Sequence, residues 1–238
     1  MEILGIIPAR GGSKSIPCKN IKLFCGKPLI QWTIDAGRAA GVLNRFILTT
    51  DDEEIARIGR MGGIDVPFIR PPALAEDTTP TLPVLQYALK WLQENEGYLP
   101  DYVVLLEPTS PGRRGFHIKE AVELLISSGA DSIVSVCNVP GHFNPHWQFT
   151  LARDNQLSVF TGEGFHQIIP RRQSLPPTYY RNGAIYAFRT PLLFKNPPSM
   201  YGETVQGYVM EERYSLDIDT PQDWKKAETT FNHILKLH

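Results

Sequence analysis

The sequence predicts an α/β fold with a mainly parallel sheet flanked by helices, and three observations carry that prediction. Apolar runs of strand length alternate with stretches of helical period. The runs are nearly continuous in apolar residues, as expected of parallel strands covered on both faces. The chain's 238 residues suit a single domain, 1–238, with room for a projecting subregion.

The elements follow in order. Residues 3–7 form the first strand candidate, and a glycine-bearing loop follows it. Residues 45–49 form the second, with Asp51 and Asp52 placed to cap the next helix and Gly62-Gly63 to stop it. Residues 66–69 read as a third strand. Thr79-Pro80 reads as an N-cap followed by a first-turn proline, opening a helix whose stripe is Leu82, Leu85, Leu89 and Leu92. Residues 102–106 and 132–136 complete the strands. Between those two, Ile118, Ala121, Val122, Leu125 and Ile126 recur as one buried helix face. From about 141 to 181 the alternation fails, and proline, aromatics and histidine dominate. That stretch is expected to be a β-rich excursion that a partner subunit covers. Thr220-Pro221-Gln222-Asp223 opens the last helix with a capping-box pattern, and Trp224, Ala227, Phe231 and Ile234 form its buried face.

Composition excludes several functions. With 24 basic against 25 acidic side chains, the chain lacks the cation excess that phosphate-backbone binding requires, so nucleic acid is not expected as a partner. No apolar run approaches the roughly 20 residues of a membrane-spanning helix, so no membrane partner is expected. The first residues lack the basic and long apolar regions of a secretory signal, and a cytoplasmic location is expected. Cys18, Cys25 and Cys137 are too few for a disulfide framework and are expected as reduced thiols. No Cys and His grouping has zinc spacing, and His142, His146 and His166 match no metal triad.

The chemistry concentrates in two places. After the first strand comes Pro8-Ala-Arg-Gly-Gly-Ser-Lys-Ser-Ile-Pro-Cys-Lys-Asn20, where Gly11 and Gly12 let the backbone approach a ligand while Arg10, Lys14 and Lys19 supply positive charge. Residues 1–30 hold five basic side chains against one acid. Such a loop suits phosphates, and it falls at the carboxyl ends of the strands, where open α/β sheets bind ligands. It is neither a P-loop nor a dinucleotide fingerprint. Near the other end, Asp217-Ile-Asp219 either turns both carboxylates to one magnesium ion or leaves them solvated beside a helix start. Arg70, before a Pro-Pro turn, is held rigidly enough to meet a base or phosphate.

The first loop resembles the opening of the acylneuraminate cytidylyltransferase family, which couples CTP to sialic acid and related nonulosonic acids. Further blocks match in the same order: Arg70-Pro-Pro-Ala-Leu-Ala-Glu-Asp-Thr-Thr-Pro-Thr81, Leu105-Leu-Glu-Pro-Thr-Ser-Pro111, Arg172-Gln-Ser-Leu-Pro176, Tyr180-Arg-Asn-Gly-Ala-Ile-Tyr186 and Asp217-Ile-Asp-Thr-Pro221. The resemblance implies a Rossmann-like fold of the nucleotide-diphospho-sugar transferase type, with a dimerisation excursion and a homodimer. It implies that Arg10, Gly11, Gly12, Ser13 and Lys19 hold the triphosphate, that Asn20, Arg70, Thr79 and Thr81 enclose the cytidine, and that Asp217 and Asp219 carry Mg2+. For the sugar it implies position 107, Asn182 and Tyr186, with Arg172 reaching the carboxylate or phosphate region. The implied reaction is attack of the sugar's anomeric hydroxyl on the α-phosphorus, with Arg10 and Lys19 stabilising the phosphates and the general base unassigned.

Two positions depart from the family's pattern. Glu107 stands where glutamine is usual, which removes an N–H donor and adds a charge, and points to a sugar other than plain N-acetylneuraminate, such as a legionaminic- or pseudaminic-type acid. Gly112 stands where leucine is usual, which predicts a looser loop before Arg113. The alternatives are a nucleotidyltransferase for another nucleotide or sugar, and a non-catalytic sugar-nucleotide sensor.

Overall fold

β1 (Ile3–Pro8) forms where the first apolar run predicts it, and its side chains alternate between two cores. Ile3 and Ile7 join the larger core on one face of the sheet, while Leu4 and Ile6 join the smaller one on the other. The computed structural model describes residues 1–235, so the last three positions of the expected 1–238 domain lie outside the described residues. The chain continues through β2 (Leu23–Phe24), β3 (Lys27–Pro28), α1 (Leu29–Ala40), β4 (Arg45–Thr49), α2 (Glu53–Met61), α3 (Thr81–Glu96) and β5 (Tyr102–Leu105). Then come α4 (Gly115–Ser128), β6 (Ser132–Asn138), β7 (Phe149–Leu151), β8 (Leu157–Val159), β9 (Tyr179–Arg189), β10 (Val205–Val209) and α5 (Pro221–Leu235).

Six strands form the main sheet in the order β10-β6-β9-β5-β1-β4. β1 runs parallel to β4 and β5, and β6 to β10; β9 alone is reversed, pairing antiparallel with β5 and β6. The sheet is therefore mainly parallel, as predicted. Packed on one face are α1, α4 and α5, and on the other α3, through Leu85, Ala88, Leu89 and Leu92.

Local signals explain most helix ends. The Asp52 side chain accepts from the amides of Glu54 and Ile55, and α2 stops before Gly62 and Gly63, the latter at φ 76°. At α5, Thr220 and Asp223 cap reciprocally, each side chain accepting from the other's amide at 2.8 and 3.2 Å. Trp224, Ala227, Phe231 and Ile234 are buried as predicted.

Several expectations are corrected. No strand forms at 66–69, where only the bridge pairs Ile47–Asp65 and Thr50–Ile69 occur, because Pro67 interrupts the run and has no amide to donate. Thr79 does not cap α3; the helix starts at Thr81 after Pro80 with no side-chain cap, and the Thr79 hydroxyl donates to the carbonyl of Ala73. Ile126 lies off the buried face of α4 and is exposed, while Leu82 is only partly buried. The excursion at 141–181 is not rich in strand. It holds one hairpin, β7–β8, four 3-10 turns and the first residues of β9, since its prolines remove the donors a ladder would need. Phe143, Phe149, Leu151, Phe160 and Phe165 are exposed along it.

Near the start of α4, His117 is buried at 3% exposure against Phe116 and Tyr214, and its Nδ1 accepts from the Arg114 amide at 3.0 Å. Burial, and then the charges of Arg113, Arg114 and Arg213, pull its pKa down to about 4. The unfolded chain therefore binds a proton that the folded chain refuses between about pH 6.5 and 4, so stability is full above that window and falls through it by about 3 kcal/mol. Urea titrations at pH 7 and pH 5 should show the drop, and His117→Asn, which keeps an acceptor for Arg114, should flatten it. An unchanged slope in that variant would refute the assignment.

Candidate active site

The carboxyl ends of β1 and β5 open onto one pocket of about 470 Å3. The basic loop supplies one wall with Arg10, Ser13, Lys14, Lys19 and Asn20, while Arg70, Thr79, Thr81, Glu107 and Asp219 contribute to the rest. Seven of the nine residues expected around the nucleotide thus meet there; Gly11 and Gly12 are not among the lining residues.

Hydrogen bonds set the loop's course. The Asn20 amide donates to the Arg10 carbonyl at 2.9 Å, and Ser13 N–H donates to Gly11 O at 3.1 Å. Gly11 turns its own N–H to Asp51 Oδ1 at 3.1 Å, so that amide faces a carboxylate and not the pocket, contrary to the expectation for this glycine. A Cβ on Gly11 would lie 2.6 Å from Asp52 Oδ2, which explains the glycine by close approach. Asp51 is also not the cap expected of it, since Asp52 does the capping. Its Oδ1 lies 3.4 Å from an Arg70 nitrogen, and Arg70 is 3% exposed, with burial pulling its pKa down and Asp51 pulling it back up. Asp51 therefore buttresses both the loop and the rigid arginine. Two adjacent acids look alike in sequence, so nothing there distinguishes the cap from the buttress.

The decisive contact links the two ends of the chain. Lys19 Nζ donates to the Ile218 carbonyl at 2.7 Å and to Asp219 Oδ1 at 3.0 Å, across about 200 positions. The acid segment is fixed in turn by Ile218 N–H, which donates to Thr109 O at 3.0 Å. Asp219 lines the main pocket, and Asp217 lines an adjoining cleft of about 290 Å3. Burial first, and then the charge of Asp219, raises the Asp217 pKa above the usual carboxylate range.

Glu107 sits where the pocket meets this acid pair. Burial pushes its pKa up to about 7; Asp217 and Asp219 push the same way, while Arg113 and Lys19 oppose. Arg113, 1% exposed, spends its guanidinium on Thr33 Oγ1 at 2.7 Å and on the carbonyls of Ala184 and Glu107 at 2.5 and 3.2 Å. The loop before it is not loose. A Cβ on Gly112 would come within 2.4 Å of the Tyr214 carbonyl oxygen, so the glycine allows a tight backbone crossing.

The other predicted sugar residues divide. Tyr186 is buried, and burial followed by the nearby Tyr201 raises its pKa. Asn182 lines the adjoining cleft, but its side chain is engaged: Oδ1 accepts from Ser135 Oγ at 2.6 Å, and Nδ2 donates to Ser215 Oγ at 2.9 Å. Arg181 and Lys226, which sequence reasoning missed, supply that cleft's cations. Arg172 is not brought to the pocket of its own chain; it lies exposed on a 3-10 turn of the excursion, in a separate small cleft beside Gly141 and Asn144. Asp77, also missed, lines the main pocket and pairs with both Arg10 and Lys14.

A basic loop at the carboxyl edge of such a sheet, tied to a distant acid pair, places the molecule among α/β nucleotide-binding transferases. The chain belongs to the cytidylyltransferase family, whose pattern it matches over residues 4–237. It is 35% identical to the CMP-N,N'-diacetyllegionaminic acid synthase of Legionella pneumophila, covering 96% of this chain and 95% of that one. With the pseudaminic acid cytidylyltransferase of Campylobacter jejuni it shares 32% identity over 98% of each chain. With the N-acylneuraminate cytidylyltransferase of Streptococcus agalactiae it shares 35% over 94% of this chain, which spans about half, 52%, of that longer protein. Among solved structures, CMP:2-keto-3-deoxy-manno-octonic acid synthetase complexed with CTP superposes with a TM-score of 0.72 at 14% identity over 98% of this chain and 100% of that one, which shows a shared fold.

Proposed function

We propose that this chain activates a nonulosonic acid with CTP, forming the CMP-sugar and releasing pyrophosphate. The observation that carries the reading is the Lys19 bridge, which ties the basic loop to the Asp217-Ile-Asp219 segment, with Asp219 in the main pocket and Asp217 in the adjoining cleft. The names of the relatives supply the substrate class, since legionaminic, pseudaminic and neuraminic acids are all nonulosonic acids.

Arg10, Lys14 and Lys19 balance the charge of the phosphates, and Asn20, Arg70, Thr79 and Thr81 shape the space for the cytidine. The sugar approaches from the side of Glu107, Asp217 and Tyr186, with its anomeric hydroxyl directed at the α-phosphorus. Holding both reactants in one pocket and neutralising the phosphates supply most of the acceleration. The donors fit magnesium: Asp217 and Asp219 are two hard oxygen donors two residues apart, and burial and then the charge of Asp219 raise the Asp217 pKa, a charge crowding that a cation would relieve. Mg2+ typically takes one or two carboxylates and completes its shell with phosphates and water. Held by Asp217 and Asp219, it would neutralise charge building on the phosphates.

The excursion supports a homodimer, since its exposed phenylalanines need cover and Arg172 lies away from its own chain's pocket. Three free cysteines suit the reducing cytoplasm. Among the described residues, no helix is long and apolar enough to cross a membrane.

Pyrophosphate release measured over CTP, UTP and GTP with a panel of nonulosonic acids, with and without chelator, tests the reaction. Turnover with CTP and at least one such acid, abolished by chelator, is expected; no turnover with any pair would refute it. On the same panel Glu107→Gln should change the ranking of the sugars, shifting ratios of kcat/KM by roughly tenfold as a buried acceptor gains a donor. An unchanged ranking would remove Glu107 from sugar selection.

A further inference from the structure

The pocket holds an acid in a place that suits phosphate. Arg10 Nη1 and Lys14 Nζ each pair with a different carboxylate oxygen of Asp77. No other side-chain hydrogen bond or ion pair of Asp77 exists among the described residues, so the basic loop alone engages it. These two cations hold its pKa below the usual carboxylate range, and it stays ionised at any pH near neutral.

The segment carrying Asp77 is built to give way. It runs from the 3-10 turn Pro72–Leu74 to the start of α3 at Thr81, exposed along most of its length; past the Ala75 N–H to Pro72 O bond that closes the 3-10 turn, it is tied by the Thr79 N–H to Glu76 O bond and by the long 3.3 Å bond of the Thr79 hydroxyl to Ala73 O. On the other side, the Lys14 side chain is 83% exposed and free to swing with whichever anion it follows. A carboxylate offers one negative charge to two cations; a polyphosphate offers more charge and more acceptor oxygens to the same pair.

We propose that Asp77 is a built-in surrogate for phosphate. It holds Arg10 and Lys14 while the pocket is free of nucleotide, and it yields both when the triphosphate arrives. The segment around Asp77 then moves aside, and the energy of its two ion pairs is subtracted from the nucleotide's affinity. The inference rests on the CTP reading above, because it takes Arg10 and Lys14 as phosphate ligands. A purely positioning role for Asp77, in which it stays on Arg10 throughout, makes the opposite prediction.

Calorimetric titration of CTP and of inorganic pyrophosphate into the full chain separates the two roles. Asp77→Asn and Asp77→Ala should each bind pyrophosphate roughly three- to tenfold more tightly than the wild type, with a smaller gain at high salt. Glu76→Gln is the control, because Glu76 lines the same pocket but forms no ion pair among the described residues. It should gain less than Asp77→Asn. Amides of residues 75–79 should exchange hydrogen faster when CTP is added to the wild type, and in Asp77→Asn they should be fast already. Equal or weaker binding by both Asp77 variants, or an equal gain in Glu76→Gln, overturns the surrogate while leaving the CTP reading intact. A wild type that binds neither CTP nor pyrophosphate overturns both.

Discussion

Asp219→Asn is expected to lower kcat for pyrophosphate release by about a hundred- to a thousandfold, while CTP still binds. The asparagine keeps the shape of the residue, so any effect reports the charge. Removing that charge frees Lys19 Nζ, whose other partner, the Ile218 carbonyl, remains at 2.7 Å. The freed lysine and the lost negative charge both favour a bound triphosphate, so KM for CTP should hold or fall as kcat collapses. That split separates a role in the reacting complex from a role in binding. Asp217→Asn should also lose activity, and the magnesium concentration giving half-maximal rate should rise in both variants. Asp223→Asn provides the contrast. Its carboxylate accepts from the Thr220 and Asp219 amides at the start of α5, so its loss should cost about 1 kcal/mol of stability and leave kcat within a few-fold. If Asp219→Asn retained kcat within about threefold, the acid pair would be structural and the proposed chemistry would fail.

What the sequence revealed depended on whether the signal was local. β1, β4, β5 and β6 are uninterrupted apolar runs, and all four stand where those runs predict them. β9 crosses the middle of the sheet but opens with Tyr-Tyr-Arg-Asn-Gly, and that polar start hides an eleven-residue strand. β10, an edge strand reading Val-Gln-Gly-Tyr-Val, is largely exposed and carries no continuous apolar signal. The same holds within the site. The loop glycines and cations, and the two aspartates, were each visible as local patterns, and the family resemblance joined them into one reading. Composition and spacing alone could not show that Lys19 meets Asp219, because contact between residues so far apart is created only by the sheet. Asp77 was visible inside a matching block, yet nothing local marks an exposed loop acid as the partner of two cations. Gly112 shows the opposite error: a missing side chain suggested slack, whereas the fold uses the glycine to bring two backbone segments into contact.

Arg113 carries the second large effect, this time on stability. Arg113→Ala is expected to cost about 3–5 kcal/mol, read as a shift of the urea midpoint at constant slope. The guanidinium joins three elements behind the pocket: Thr33 on α1, the Glu107 carbonyl after β5 and the Ala184 carbonyl on β9. Truncation removes the Arg113 donor from the Ala184 carbonyl and leaves the Glu107 carbonyl only the long 3.5 Å bond from the Thr33 hydroxyl, each at a cost of about 1–3 kcal/mol, although a cavity that admits water would recover part of it. Arg113→Lys should not rescue the loss, because an ammonium cannot reproduce the planar fork that reaches all three acceptors. Activity should fall with stability by a further route. Arg113 is the cation that most lowers the Glu107 pKa, so without it the Glu107 carboxyl should take up a proton more readily still, altering the wall that faces the sugar. The two effects are separable by adding saturating CTP, which restores the folded population through binding but not the charge at Glu107. A loss of less than about 1 kcal/mol in Arg113→Ala would mean that water already satisfies these carbonyls and that the buried arginine does not hold the three elements together.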